Sequence, residues 1–181
     1  MNRWVLLLRG VNVGGHGKLP MADLKALMQT LGLGNIHTYI QSGNAVFTGI
    51  IDADGLETLL EDEIELRFGF RPKALLLSSE NFIEIVEGFP FAEAHETPKT
   101  GHVWVLSAPP VEEAEERLNA LAANGEQIAL TERALYLHAP EGIGRSKLAA
   151  GAEKMLGVAA TARNLNTLGK LNEMLDALPR V

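Results

Sequence analysis

Short apolar runs and helically spaced apolar positions alternate along the chain in an order that occurs twice. VLLL at 5–8 is a continuous apolar run closed by Arg9 and Gly10, the pattern of a buried strand. After a glycine-rich stretch, Pro20 fits the first helical position. Met21, Leu24, Leu27, Met28 and Leu31 then recur at helical spacing, with Gly32 as the stop. Residues 36–41 and 45–48 predict two strands joined through Ser42, Gly43 and Asn44, where Gly or Asn tolerates a positive φ, hence a hairpin. Asp52 or Asp54 caps a helix with Leu56, Leu59, Leu60, Ile64 and Phe68 on its expected inward face. Residues 73–77 predict a strand, and Ser78 or Ser79 opens a short helix that Gly88 ends.

FPFAEAHETPKTG at 89–101 has two prolines and no helical period, and reads as a linker. The order then recurs: a strand at 102–107, a helix opened by Pro110 and closed by Gly125, and a hairpin of 127–131 with 135–138 around Glu132 and Arg133. A helix from about Arg145 to Leu156 stops at Gly157, and a short strand follows at 158–162. The last helix, capped by Asn164 or Asn166, turns Leu168, Leu171, Leu175 and Leu178 inward. Each half therefore reads βαββαβα. The expected class is α+β: two tandem ferredoxin-like repeats with antiparallel sheets, at 1–90 and 102–181, joined by 91–101.

Charge is unevenly spread. The net is −7, which argues against non-specific nucleic-acid binding, since that needs a basic footprint. Two stretches run the other way: 1–51 carries four cations against Asp23, and 142–170 carries five against Glu153. The absence of cysteine removes disulfides and thiolate chemistry and agrees with a cytoplasmic location. No apolar run approaches a membrane span, so no membrane partner is expected.

The basic stretches contain the candidate chemistry. RGVNVGGHGK, from Arg9 to Lys18 with Asn12 inside it, matches neither phosphate-loop spacing: Asn12 and Leu19 break one, Pro20 the other. What it offers is exposed backbone N–H groups before a helix, between two cations; the competing reading is a flexible connection. GIGRSKL at 142–148 sets Arg145 and Lys147 at an expected helix start, where cations oppose the dipole, with the Ser146 hydroxyl between them. A bound phosphate or carboxylate reverses that cost; alternatively, the cations turn away toward Glu141 or Glu153. TARNLNTLGK at 161–170 offers Arg163, Asn164, Asn166 and Lys170 as an auxiliary surface, with Thr167 on the face of Lys170. The expected sheets put Arg145 and Arg163 at opposite edges of one repeat, and the β2–β3 tip Gln41-Ser42-Gly43-Asn44 opposite the Arg9 loop. The five histidines lack metal-ligand spacing, so no metal is expected and no cofactor is named; His16 is the one candidate base. The carboxylates at 61–65 and 112–116 read as solvated helix faces, and Trp4 and Trp104 as core.

RGVNVGG, YIQSGNAVF, GIGRSKL and TARNLNTLGKL together resemble the bacterial family catalogued as domain of unknown function 1697. The resemblance implies two related ferredoxin-like repeats and no established activity, so it supplies no catalytic residues. It also implies an aromatic where Leu165 stands, a contact this chain would weaken. The residues thus point to an anionic small ligand, phosphorylated or carboxylated, with a nucleic-acid module or an interaction and homo-oligomerisation domain as alternatives.

Overall fold

The computed structural model describes residues 2–180. They fall into two compact units, one formed by residues up to Glu84 together with those from Lys170 onward, the other by Ile85–Gly169.

In the first unit the elements run β1 (Asn2–Arg9), α1 (Met21–Thr30), β2 (Gly34–Tyr39), β3 (Asn44–Gly49), α2 (Ala53–Phe68), β4 (Lys73–Ser78) and α3 (Ser79–Glu87). The sheet order is β2-β3-β1-β4, antiparallel throughout, which is the ferredoxin-like arrangement. Period-two alternation sends Leu6, Leu8, Ala45, Phe47 and Leu76 to one face, where they meet Leu24, Leu27 and Met28 of α1 and Leu56, Leu60 and Ile64 of α2. Each fully buried leucine here is worth about 1.5–3 kcal/mol relative to exposure. The spacing that predicts Leu59 inward fails, because Leu59 lies beyond the edge of the apolar stripe and is 42% exposed.

In the second unit α4 (Glu93–Glu96), a 3-10 turn (Pro98–Thr100), β5 (Gly101–Leu106), α5 (Ala114–Leu121), β6 (Gln127–Leu130), β7 (Ala134–His138), α6 (Lys147–Leu156) and β8 (Ala160–Asn164) follow, and α7 (Leu165–Asp176) starts there and belongs to the first unit from Lys170 onward. The sheet β6-β7-β5-β8 repeats the same order. Trp104, Leu106, Leu135 and Leu137 form a core with Leu118, Leu148 and Leu156. Trp4 packs against the first core and donates its indole N–H to the Gly49 carbonyl at 3.2 Å. Helix α5 begins four residues after Pro110, and the segment expected to be a bare linker contains α4 and the 3-10 turn, with Phe89 and Ala94 buried.

The antiparallel ladders correct the expected edges. Leu7 stands beside Asn44 and Arg9 beside Lys73, so the end of β1, the β2–β3 tip and the start of β4 share one end of the first sheet. Gly101 stands beside His138 and His102 beside Asn164, so the ends of β7 and β8 share one end of the second. The physical reason is direction: β7 and β8 both run antiparallel to β5 and so point the same way.

Candidate functional site

The loop after β1 is closed on itself. Val13 and His16 form an isolated antiparallel bridge, with His16 N donating to Val13 O at 2.9 Å and Val13 N to His16 O at 3.1 Å. Gly14 and Gly15 both have positive φ (55° and 80°), the requirement of a two-residue type I′ turn. Asn12 N donates to Gly17 O at 2.8 Å. The Asn12 carboxamide completes the closure: its oxygen accepts from Leu19 N at 2.9 Å, and its Nδ2 donates to Leu19 O at 2.8 Å and to Gln41 O at 2.7 Å. Three of the backbone N–H groups expected to be open to an anion, those of Asn12, Val13 and His16, are therefore spent inside the loop, as is that of Leu19 just after it. The loop is neither a flexible connection nor an open nest. It is a miniature hairpin clamped to the β2–β3 tip.

That tip is itself constrained. Ile40 has φ of 49°, an uncommon conformation for a β-branched side chain, and is 47% exposed. Gly43 has φ of 83°, its carbonyl accepts from Leu8 N at 2.8 Å, and a Cβ on it would lie 2.7 Å from Val11 Cγ2.

Beside this hairpin opens a cavity of about 670 Å³. Arg9, Gly10, Val13, Glu61, Arg71, Pro72 and Lys73 line it. Glu61 contradicts the solvated-face reading: it is only 7% exposed. Its Oε1 accepts from Ala74 N at 2.9 Å and lies 3.2 Å from Lys73 Nζ, and its Oε2 lies 3.2 Å from Arg71. Arg71 also pairs with Asp62 and with Glu65, and these partners push its pKa up, so it is a fixed cationic wall. Arg9 and Lys73, opposite each other on β1 and β4, bring two more cations to the cavity. Lys18, the other cation of the loop, is exposed and makes no ion pair or side-chain hydrogen bond among the described residues.

In the second unit the two basic stretches leave the same end of the sheet. Ser146 is the N-cap of α6, its Oγ accepting from Ala149 N at 3.0 Å, so that hydroxyl serves the helix. Arg145 precedes the cap and Lys147 is the first helical residue; the first turn holds no acid. Both side chains are exposed and neither pairs with Glu141 or Glu153. Arg163 lies within β8 rather than after it, donates to Ala162 O at 2.8 Å, and is held down to a pKa of about 10 by burial. Asn164 is the cap of α7, its Oδ1 accepting from Thr167 N at 2.9 Å, while Asn166 is exposed. The surface expected from Thr167 and Lys170 does not form: Thr167 is buried, and Lys170 is exposed with Glu173 at 2.8 Å. Leu165 packs against the backbone at Gly101, where an added Cβ would lie 2.5 Å from its Cδ1. This position is a packing contact.

Sequence reasoning missed Arg71, Lys73 and Glu61. It also missed two buried histidine nitrogens without partners among the described residues, His102 Nε2 and His138 Nδ1. Burial lowers the His102 pKa, and the His138 ring stacks on Phe91 at 6.3 Å.

A model of a protein family of unknown function, DUF1697, matches residues 1–136. The chain belongs to that family. The DUF1697 match takes in the clamped hairpin and all the residues lining the cavity, and stops before GIGRSKL and TARNLNTLGKL. Among solved structures, the chain is similar to the conserved bacterial protein SP0830 from Streptococcus pneumoniae. The two are 26% identical with a TM-score of 0.76, over 96% of this chain and 98% of that one. No curated protein matches the chain. No helix of the described residues is long and apolar enough to cross a membrane.

Proposed function

We propose that this DUF1697 protein binds an anionic small molecule, phosphorylated or carboxylated, and that the cavity beside the clamped hairpin receives it. The observation that carries this reading is the convergence of Arg9, Arg71 and Lys73 on one concavity. Together these three cations outnumber the Glu61 carboxylate that lines the cavity with them, and charge-assisted hydrogen bonds from such groups are roughly twice as strong as neutral ones. The cysteine-free chain fits a reducing compartment such as the cytoplasm.

A second location for the same ligand class is the start of α6, favoured by Arg145 and Lys147, which have no partner within the chain among the described residues. A nucleic-acid module is less well supported. The net charge of −7 works against the basic footprint that such binding needs.

Thermal unfolding against phosphates, nucleotides, phosphosugars, carboxylates and short oligonucleotides tests these readings in wild type, Arg9→Ala and Arg145→Ala. A ligand at about 100 times its Kd stabilises by roughly 2.7 kcal/mol. A small-anion shift abolished by Arg9→Ala supports the cavity, and one abolished by Arg145→Ala moves the site to α6. A response to oligonucleotides alone, steeply weakened by salt, favours the nucleic-acid reading. No response to any anion refutes the proposal.

A further inference from the structure

The cavity is too large for a bare anion. At about 30 Å³ per water, its roughly 670 Å³ is the volume of some 20 waters, whereas inorganic phosphate or acetate fills only a few of those places. The remaining space has a definite chemical character. Val13, at the shoulder of the type I′ turn, is 63% exposed, and both it and Pro72 line the cavity. Val13 is not loosely placed: its N–H and C=O are both bonded to His16, and Asn12, the residue before it, is held by three side-chain hydrogen bonds. A large aliphatic residue is thus held by its backbone in an exposed position at a cavity whose charged groups are three cations and Glu61.

We infer that the ligand is an amphipathic anion, with a phosphate or carboxylate head on the cations Arg9, Arg71 and Lys73 and an alkyl or aryl body against Val13 and Pro72. This deepens the anion-binding reading and rests on it. Head and body are read by different residues, so they separate in mutants. Arg9→Ala removes head recognition and weakens every anion. Val13→Ser removes body recognition and weakens only ligands that have a body. Exposed apolar area is removed from water on both partners when the body docks, which is worth about tenfold in affinity for a single ring or a short alkyl chain.

The experiment is calorimetric titration of the full chain with two matched pairs: inorganic phosphate against phenyl phosphate, and acetate against hexanoate. Wild type is expected to bind the member with a body about tenfold more tightly in at least one pair. In Val13→Ser that advantage falls below about threefold, with affinity for the bare anion unchanged. Val13→Thr, which keeps shape and exchanges a methyl for a hydroxyl, serves if the serine variant proves unfolded by circular dichroism, and is expected to lose part of the advantage. Equal affinity for bare and substituted anions overturns the amphipathic ligand while leaving anion binding intact. An advantage that persists in both Val13 variants overturns the role of this wall. Absence of binding by all four probes overturns both the inference and the reading beneath it.

Discussion

Asn12 decides whether the hairpin after β1 is rigid, and its substitution has a magnitude that can be worked from the structure. Three side-chain hydrogen bonds of 2.7–2.9 Å are lost in Asn12→Ala. Each is worth about 0.5–1.5 kcal/mol net, with the bond to Gln41 at the lower end because it is exposed. The expected loss from the clamp is therefore roughly 2–3 kcal/mol. A second effect adds to it. Asn12 has φ of 51°, which asparagine tolerates and alanine resists by about 1 kcal/mol. Asn12→Gly removes the same hydrogen bonds without that steric penalty, and should be about 1 kcal/mol milder than Asn12→Ala. The measurement is urea unfolding in a Trp104→Phe background, where Trp4, packed on the core of the first unit, is the remaining tryptophan. Loss of less than about 0.5 kcal/mol in both variants would refute the clamp, since that is the scatter of ordinary surface substitutions. A glycine variant as damaged as the alanine variant would refute the backbone part of the reasoning.

Gly43→Ala should cost roughly 2–4 kcal/mol, combining the positive φ with a Cβ 2.7 Å from Val11 and 2.8 Å from Leu8, read by the same tryptophan. Ser146→Ala should cost about 0.5–2 kcal/mol by denaturant unfolding through loss of the bond from Ala149 N, whereas Arg145→Ala should leave stability unchanged or raise it by up to about 1 kcal/mol; a destabilising Arg145→Ala would mean a partner the structure does not contain. His102, buried and with its pKa lowered, favours its neutral form when folded. Its contribution to stability is complete above about pH 6.5 and is lost as pH falls below that value toward the lowered folded pKa. Urea midpoints between pH 7 and 5 should therefore fall more steeply for wild type than for His102→Gln, and parallel profiles would exclude His102 as the titrating group.

What the sequence made legible was whatever depends on local period. Both βαββαβα orders, the strand runs and the capping roles of Ser78 and Gly157 follow from spacing and local chemistry. What it hid depends on contacts between distant residues. Glu61 lies one residue after Leu60 and three before Ile64, at the border of the apolar stripe, and that position was a signal of partial burial. Its full burial needed Arg71, Lys73 and the Ala74 N–H from the next strand, which helix periodicity cannot display. The hairpin of Val13 to His16 replaces the expected open or flexible loop, although its two glycines between pairing residues, the type I′ signature, were legible. The asparagine that locks it was not, since its partners include Gln41, 29 positions away. The misplacement of Arg163 relative to Arg145 had a different source: strand direction, once followed through both crossovers, puts the ends of β7 and β8 together.

The two units share a strand order but are elaborated at different ends of it. In the first, the long loop follows the opening strand β1, and the cavity lies at the end where β1 finishes and β4 begins. In the second, the corresponding loop after β5 carries no glycine hairpin. The cations there gather instead where β7 and β8 finish, the end at which β5 begins. Arg9 and Arg145 are therefore not equivalent residues of a duplicated site. If repetition alone had produced the basic stretches, they would occupy the same end of both sheets. The two stretches must then answer to separate physical demands, and substitution in one should leave the ligand response of the other unchanged. An Arg9→Ala/Arg145→Ala double variant whose loss of anion response departs from the sum of the single losses, in either direction, would refute that independence. Additive losses are the outcome expected of two independent stretches.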